Sequence, residues 1–143
     1  MMQISLSKAN KMITSALRKG ADLGLKPLAV VVLDAGGHVK AFQRQDGASN
    51  MRFEVAKGKA YGAVAVGVGS RWLDAQAATR PHFLEGLSGV SGGNIVPVPG
   101  GVLVKNKKGE ILGAVGISGD VSDNDEAAAI AGIEDAGFVA DAG

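Results

Sequence analysis

The amino-acid sequence predicts an α+β fold in which an antiparallel sheet of about five strands is flanked by helices, in the order α-β-β-α-α-β-β-β-α. Three observations support this class. Apolar runs occur in pairs separated by short glycine-containing turns, which is typical of antiparallel hairpins. Segments with apolar residues three and four positions apart, as in amphipathic helices, precede, separate and follow the hairpins. Strands and helices do not alternate one by one, so a parallel βαβ sheet is not expected.

The first element is a predicted helix that begins at Ser5 or Ser7, either of which can cap it, and runs to about Leu23. Gly24 then ends it. One face of this helix carries small and apolar residues, so the helix can lie close to the sheet that it covers. These residues are Leu6, Ala9, Ile13, Ala16, Leu17 and Gly20.

The first hairpin follows this helix. Residues 28–33 form a continuous apolar run rich in β-branched side chains, as expected of a strand that is buried on both faces. Residues 34–37 read Asp-Ala-Gly-Gly, which is a turn signal, and residues 38–44 return as the second strand. A break at residues 46–49 ends that strand.

Two helices and a loop are predicted in the middle of the chain. Asn50 can cap a helix over residues 51–66, whose interior is again small and apolar. A shorter helix over residues 70–78 ends before Pro81. Residues 84–93 carry Gly or Ser at nearly every second position and are expected to form a loop.

The rest of the chain predicts a second hairpin and a last helix. Residues 95–99 are expected to be extended, because each proline restricts the backbone of the residue before it. Residues 101–104 and 111–117 flank a Lys-Lys-Gly turn and are predicted to pair as strands. A capping-box arrangement that begins at Ser122 leads into a helix over residues 126–136.

Length and composition favour one domain over residues 1–143. The 15 basic and 14 acidic residues leave a net charge of +1 and form no sustained basic run, so a nucleic-acid partner is not expected. The absence of Cys excludes disulfides, thiolate metal sites and a cysteine nucleophile. No apolar stretch is long enough to span a bilayer and no signal-peptide core is present, so we expect a cytoplasmic protein without membrane contact.

The common catalytic motifs are absent or lack their structural context. Gly89, Ser91 and Gly93 match the G-x-S-x-G nucleophile elbow, but no strand precedes the motif and no histidine follows the serine. No P-loop and no G-x-G-x-x-G motif is present. His82 and Glu85 can share a helical face as metal ligands, yet such a pair is common by chance, and no intrinsic metal site is predicted.

Four ionisable residues in apolar or glycine-rich surroundings are the candidate site residues. Arg44 and Asp46 bracket the end of a predicted strand. Lys59 falls on the apolar side of a helix of small residues, and Asp125 heads the last helix. Because an isolated charge is costly to bury, each must pair or bind something, and we predict that all four meet at one cavity.

Simpler interpretations of the same residues stay open. Arg44 and Asp46 can pair with each other across the loop between them. Lys59 can extend its ammonium group to solvent, and Asp125 can do no more than cap its helix.

Several segments, taken in order, resemble the GlcG/HbpS-like family, which includes the C-terminal domain of PduO-type proteins. The resemblance covers nearly the whole chain, and the ordered set is far more specific than any one segment. The segments are residues 31–38 (VVLDAGGH), 44–48 (RQDGA), 56–63 (AKGKAYGA), 99–102 (PGGV), 111–119 (ILGAVGISG), 123–127 (DNDEA) and 131–132 (AG).

This resemblance implies a profilin-like or GlcG-like α+β fold and assembly into a homodimer or a larger, octamer-like homo-oligomer. It also implies haem as the cofactor, with links to haem breakdown or to the catabolism of small acids. Haem iron is normally bound by His, Met, Cys or Tyr. The candidate ligands in this chain are therefore His38 and His82, together with Tyr61 and the methionines.

The first functional hypothesis is a binding protein. An apolar groove between protomers, edged by Arg44 and Lys59, would hold haem or another flat anionic ligand through its carboxylates. The turns at Gly100, Gly101 and Ser118 would bring the backbone close to that ligand.

The alternative hypothesis is a cofactor-independent lyase or isomerase that acts on a small, aromatic carboxylate. Arg44 would hold the carboxylate, Asp46 or Asp125 would shuttle a proton, and Lys59 would stabilise the developing charge. An accessory subunit that stabilises a neighbouring enzyme is a third, less specific option.

Overall fold

The computed structural model describes residues 3–143, which contain five helices and a five-stranded antiparallel sheet. The strands lie in the order β2-β1-β4-β3-β5. The helices are α1 (Leu6–Asp22), α2 (Arg52–Val66), α3 (Ser70–Thr79), α4 (Pro81–Val90) and α5 (Ser122–Asp135). The strands are β1 (Ala29–Asp34), β2 (Val39–Arg44), β3 (Gly101–Lys105), β4 (Ile111–Ser118) and β5 (Val139–Asp141). The predicted α+β class and the five-stranded antiparallel sheet are confirmed.

The sheet lies between two helical layers. On one face, α1 and α5 cover Val30 and Val32 of β1, and on the other face α2 covers Val31 and Leu33. Successive side chains of a strand point to opposite faces, so a strand covered on both sides must be apolar at every position. The prediction that residues 28–33 form a fully buried strand is therefore confirmed.

The expectation of a loop over residues 84–93 is wrong, because most of this segment belongs to helix α4. Pro81 stands in the first turn of the helix, where its missing N–H is not needed. The Phe83 ring meets Trp72 of α3 edge-on at 6.1 Å and lies under the guanidinium of Arg80 at 4.2 Å. These contacts hold the first turn in place and outweigh the low helix propensity of the glycines that follow.

The fifth strand also differs from the prediction. Residues 95–99 were expected to be extended, but the chain bends at residues 98–99. The segment takes no part in the sheet, because Pro97 and Pro99 lack the N–H that a ladder needs. The edge position is filled by β5, which pairs with β3. The Lys105 ammonium group lies 2.7 Å from the Asp141 carboxylate and ties the two strands together.

Glycines without room for a side chain bring α2 down onto the sheet. A Cβ atom at Gly116 of β4 would collide with the backbone carbonyl of Ala56, and one at Gly101 of β3 would collide with that of Lys59. This close approach carries the middle of α2 directly over the ends of β3 and β4. Within residues 3–143, no helix has the length and apolar character that crossing a bilayer requires.

Candidate functional site

Several predicted site residues lie at one end of the sheet. The strand register places Arg44 at the end of β2 opposite Ala29 of β1, and Ala29 opposite Ser118 of β4. Gly101, the first residue of β3, pairs with Gly116. The ends of four strands and the start of α2 therefore meet at this end of the sheet, as the prediction of a single site requires.

Lys59 and Asp125 form a buried ion pair at this end of the sheet. The Lys59 ammonium donates to Oδ2 of Asp125 at 3.1 Å and to the carbonyl of Ile117 at 2.9 Å. Oδ1 of Asp125 accepts the backbone N–H of Asp120 at 3.0 Å. The two residues are 2% and 1% exposed, so neither reaches solvent. The pair connects α2 on one face of the sheet with α5 on the other.

Burial dominates the electrostatics of this pair. It lowers the pKa of Lys59, although the charge of Asp125 opposes the shift. It likewise raises the pKa of Asp125, against the opposing effect of Lys59. Each charge is stable in this environment because the other neutralises it and hydrogen bonds satisfy the remaining polar atoms.

Glycine and serine residues close the space around Lys59. Gly100 has φ +119°, and a Cβ there would lie 3.0 Å from the Lys59 ammonium nitrogen. The N–H of Gly101 donates to Oγ of Ser70 at 2.8 Å. Ser118 is fully buried, and its Oγ accepts from the guanidinium of Arg52 at 3.1 Å. The predicted residues Gly100, Gly101 and Ser118 do surround Lys59, but they fill the space and leave no room for a ligand beside it.

Arg44 and Asp46 lie apart from this buried pair. Both are exposed, and together they line a separate groove of about 560 Å³ beside Lys26. A guanidinium nitrogen of Arg44 donates to the carbonyl of Ala48 at 3.3 Å. No hydrogen bond or ion pair in residues 3–143 joins either residue to Lys59. The prediction of one cavity shared by all four groups is wrong for this chain, because β2 is an edge strand and Lys59 is already paired.

The two histidines are also separated. His38 lies in the turn between β1 and β2 with its side chain 82% exposed, and its Nδ1 is 3.5 Å from the Asp34 carboxylate. The backbone N–H of His38 is the main cause that lowers the pKa of Asp34. His82 is exposed in the first turn of α4. No cluster of three His, Asp or Glu side chains suited to a metal ion occurs in the described part of the chain.

A groove runs along the outer face of α2 and has a volume of about 660 Å³. Phe53, Tyr61 and Val96 supply its aromatic and aliphatic walls, and Lys57 supplies a cation. The lining also includes a carboxylate and two amide side chains, and the volume is typical of small-molecule sites.

Close backbone contacts build the walls of this groove. The Val96 side chain lies against Gly58 in space that a Cβ would occupy, and the N–H of Val96 donates to the Gly58 carbonyl at 3.1 Å. The segment around residue 96 therefore lies directly on α2. Phe53 is held by an edge-on contact with Phe42, whose ring centroid is 4.7 Å away.

The sequence did not predict the groove or the positions of Phe53 and Lys57 in it, although Tyr61 was among the candidate haem ligands. Phe53, Lys57 and Tyr61 are spaced by four residues and so fall on one stripe of α2. That spacing was a signal available in the sequence. Arg52 was missed as well, although it stands seven residues before Lys59 and so shares its helical face.

The sheet, its two helical layers and the open groove beside α2 define a compact α+β protein with a surface site of small-molecule size. The chain belongs to the HbpS-like family: the family model described as haem degrading protein HbpS-like matches residues 4–134. The resemblance noted in the sequence is thereby confirmed.

Individual relatives agree with this assignment. The chain is 30% identical over 122 residues to an uncharacterized 15.0 kDa protein in the dhaT-dhaS intergenic region of Citrobacter freundii, covering 85% of this chain and 84% of that protein. A crystal structure of a PduOC:heme complex superposes with a TM-score of 0.85 at 25% identity, covering 96% of this chain and 97% of that one. HbpS from Streptomyces reticuli, solved as a double mutant, gives a TM-score of 0.79 at 26% identity over 94% and 87% of the two chains.

Proposed function

We propose that this protein binds a flat anionic small molecule, haem being the preferred ligand, in the groove along the outer face of α2. The observation that carries the proposal is the stripe formed by Phe53, Lys57 and Tyr61, which places two aromatic rings and one cation along a single groove. A planar macrocycle with carboxylates at its edge matches that arrangement, since the rings contact its faces and the ammonium group pairs with a carboxylate.

The residues of the groove fit haem. Lys57 has no ion-pair partner within residues 3–143 and is free to bind a propionate. Tyr61 and Met51 line the groove and belong to the side-chain types that bind haem iron. His38 lines a different groove and His82 is exposed on α4, so the proposal does not place the iron at either histidine. The haem complex of the related PduOC structure supports haem as the ligand to test first.

The buried residues near the sheet end have a supporting part in this proposal. The ion pair of Lys59 and Asp125 holds α2 against the sheet. Gly100, Gly101 and Ser118 pack around that pair. An enzyme that needs Arg44, Asp46 and Lys59 at one substrate atom is not favoured, because two of these are exposed and the third is sealed. We therefore propose binding at α2 rather than catalysis at the sheet end.

We further propose that the protein forms a homodimer or a larger homo-oligomer such as an octamer. Helix α4 has no buried residue, and Val90 at its end is 86% exposed. Met51, at the mouth of the groove, is 66% exposed. A second copy of the chain would cover such apolar side chains. Sedimentation velocity over a range of concentrations tests this, and a monomer at every concentration would exclude it.

Titration with haemin tests the ligand. We expect a saturable shift of the Soret band, weakened about tenfold or more in Lys57→Ala and in Phe53→Ala through loss of a charge-assisted contact and of aromatic contact area. Lys107→Ala, which removes an exposed lysine from the β3–β4 turn, is the matched control and should bind as the wild type does. A non-saturable shift, or equal affinity in all four proteins, would refute binding in this groove.

A further inference from the structure

We infer that Tyr61 is the axial ligand of the bound iron and that the groove selects ferric over ferrous porphyrin. This inference rests on the proposed function. Tyr61 lines the groove, its ring lies against the β1–β2 turn, and no hydrogen bond of its hydroxyl occurs within residues 3–143.

The Tyr61 ring has a defined seat. Gly37, in the β1–β2 turn, is buried and has φ +81°. A Cβ at Gly37 would lie 3.3 Å from two carbon atoms of the Tyr61 ring, so the absence of that atom lets the ring lie against the backbone. A ring that packs against the backbone has less conformational freedom to lose when its hydroxyl binds a metal.

The Tyr61 hydroxyl is free to bind. The residue is half-buried and lines the groove, and its hydroxyl has no hydrogen-bond partner within residues 3–143. Tyrosine hydroxyls usually bond within the protein when they are fully buried, whereas at a groove-lining position the partner can come from a ligand. A tyrosine hydroxyl that has no hydrogen-bond partner in the protein and lines a groove of ligand size is suited to bind an atom of the ligand.

Charges along the stripe favour an anionic oxygen at this position. Lys57 stands one helical turn before Tyr61 on the same face, and its ammonium group has no carboxylate partner in the described chain. Glu54 is the acidic side chain that lines the groove, and it forms no ion pair with Lys57. The ammonium group of Lys57, one helical turn away, stabilises a phenolate bound to iron.

Met51 is the competing ligand, and its chemistry predicts the opposite preference. It stands at the N-cap of α2 and is 66% exposed, so nothing in the described chain fixes its thioether. A neutral thioether is a soft ligand, and methionine ligation of haem raises the reduction potential, which favours ferrous iron. A phenolate is hard and anionic and favours ferric iron. The oxidation state that binds therefore distinguishes the two ligands.

The phenol oxygen of Tyr61 forms a bond to Fe(III), an iron-bound water leaves, and the phenolic proton passes to solvent through the open groove. One electron from an added reductant such as dithionite converts Fe(III) to Fe(II). The Fe–O bond then breaks, and the oxygen takes a proton from solvent.

Spectroscopy of the haemin-loaded protein and of two variants tests the inference. We expect the wild type and Met51→Leu to share phenolate-to-iron charge-transfer absorption and phenolate vibrations in resonance Raman spectra. Tyr61→Phe should lose both signatures and bind haemin at least about tenfold more weakly. Anaerobic dithionite should release haem from the wild type. Unchanged spectra in Tyr61→Phe, or retention of ferrous haem by the wild type, would overturn the inference.

Metal-free protoporphyrin IX separates this inference from the proposed function. It offers the same ring and carboxylates without iron, so its affinity should fall in Phe53→Ala and stay unchanged in Tyr61→Phe. If it binds in this way but Tyr61→Phe keeps the haemin spectrum of the wild type, only the ligand assignment is wrong. If neither porphyrin binds with dependence on Phe53, the proposed function itself fails.

Discussion

The ammonium nitrogen of Lys59 lies 3.1 Å from a carboxylate oxygen of Asp125, with both side chains sealed from solvent. These residues are 66 positions apart in the chain and belong to helices on opposite faces of the sheet. Their contact links the two layers across the ends of β3 and β4. It also fixes the part of α2 from which the residues lining the groove project.

Removal of one partner from this pair should destabilise the protein strongly. Asp125→Ala leaves the Lys59 charge buried without compensation, and we expect a loss of about 3–5 kcal/mol in the free energy of unfolding. The double variant Lys59→Met/Asp125→Leu removes both charges and should recover most of that loss. Urea unfolding monitored by circular dichroism measures both. Equal stability of Asp125→Ala and the wild type would show that the pair has no such role.

Acid should weaken the turn after β4 through Asp120. Hydrogen bonds from the N–H of Lys26, the Asn124 side chain and the N–H of Val121 lower the pKa of Asp120 to about 2. The unfolded chain binds the proton more tightly, so the stabilisation is complete above the ordinary value of 3.8 and is lost as the pH falls through about 2.

The Asp120→Asn variant measures this contribution. It should lose less stability than the wild type between pH 4 and pH 2 when urea midpoints are compared across that range. Asp74→Asn, at an exposed position of α3, is the control and should follow the wild type. Parallel pH profiles for the wild type and Asp120→Asn would contradict the assignment.

Two glycine substitutions should have opposite effects on stability. Gly58→Ala places a methyl group where the Val96 side chain lies, so the segment around residue 96 must move. We expect a loss of about 1–3 kcal/mol together with weaker haemin binding. Gly86→Ala adds a methyl group into open space within α4 and should raise stability by about 1 kcal/mol. Thermal unfolding of both variants checks the contrast, and a shift of the same sign in both would contradict it.

Substitution of Arg44 or Asp46 should leave ligand binding unchanged. Both residues line a groove other than the one along α2, and neither contacts Lys59. We expect Arg44→Ala and Asp46→Asn to bind haemin with wild-type affinity. A loss of affinity comparable to that of Lys57→Ala would contradict this prediction and would indicate that the ligand binds near Arg44 and Asp46.

The strands and most helices followed from local patterns. The apolar run of β1 and the glycine turns of both hairpins each depend on a few neighbouring residues, and the structure has them as predicted. Helix α5 was also expected, but it begins at Ser122, four residues before the predicted start, and no side chain caps it. Helix α4 and strand β5 did not follow, because each is stabilised by contacts with distant segments. Helix α4 depends on the contact of Phe83 with Trp72, and β5 depends on the ion pair of Asp141 with Lys105.

The candidate site was likewise predictable from the sequence only in part. The sequence by itself determined that Lys59 and Asp125 needed partners, because a charge among small apolar residues cannot be buried alone. Only the tertiary structure decided that they are each other's partner and that Arg44 and Asp46 lie elsewhere. Pairing of residues 66 positions apart depends on how α2 and α5 are placed about the sheet. Helical periodicity can state which residues share a face, as Phe53, Lys57 and Tyr61 do, but not which surface that face meets.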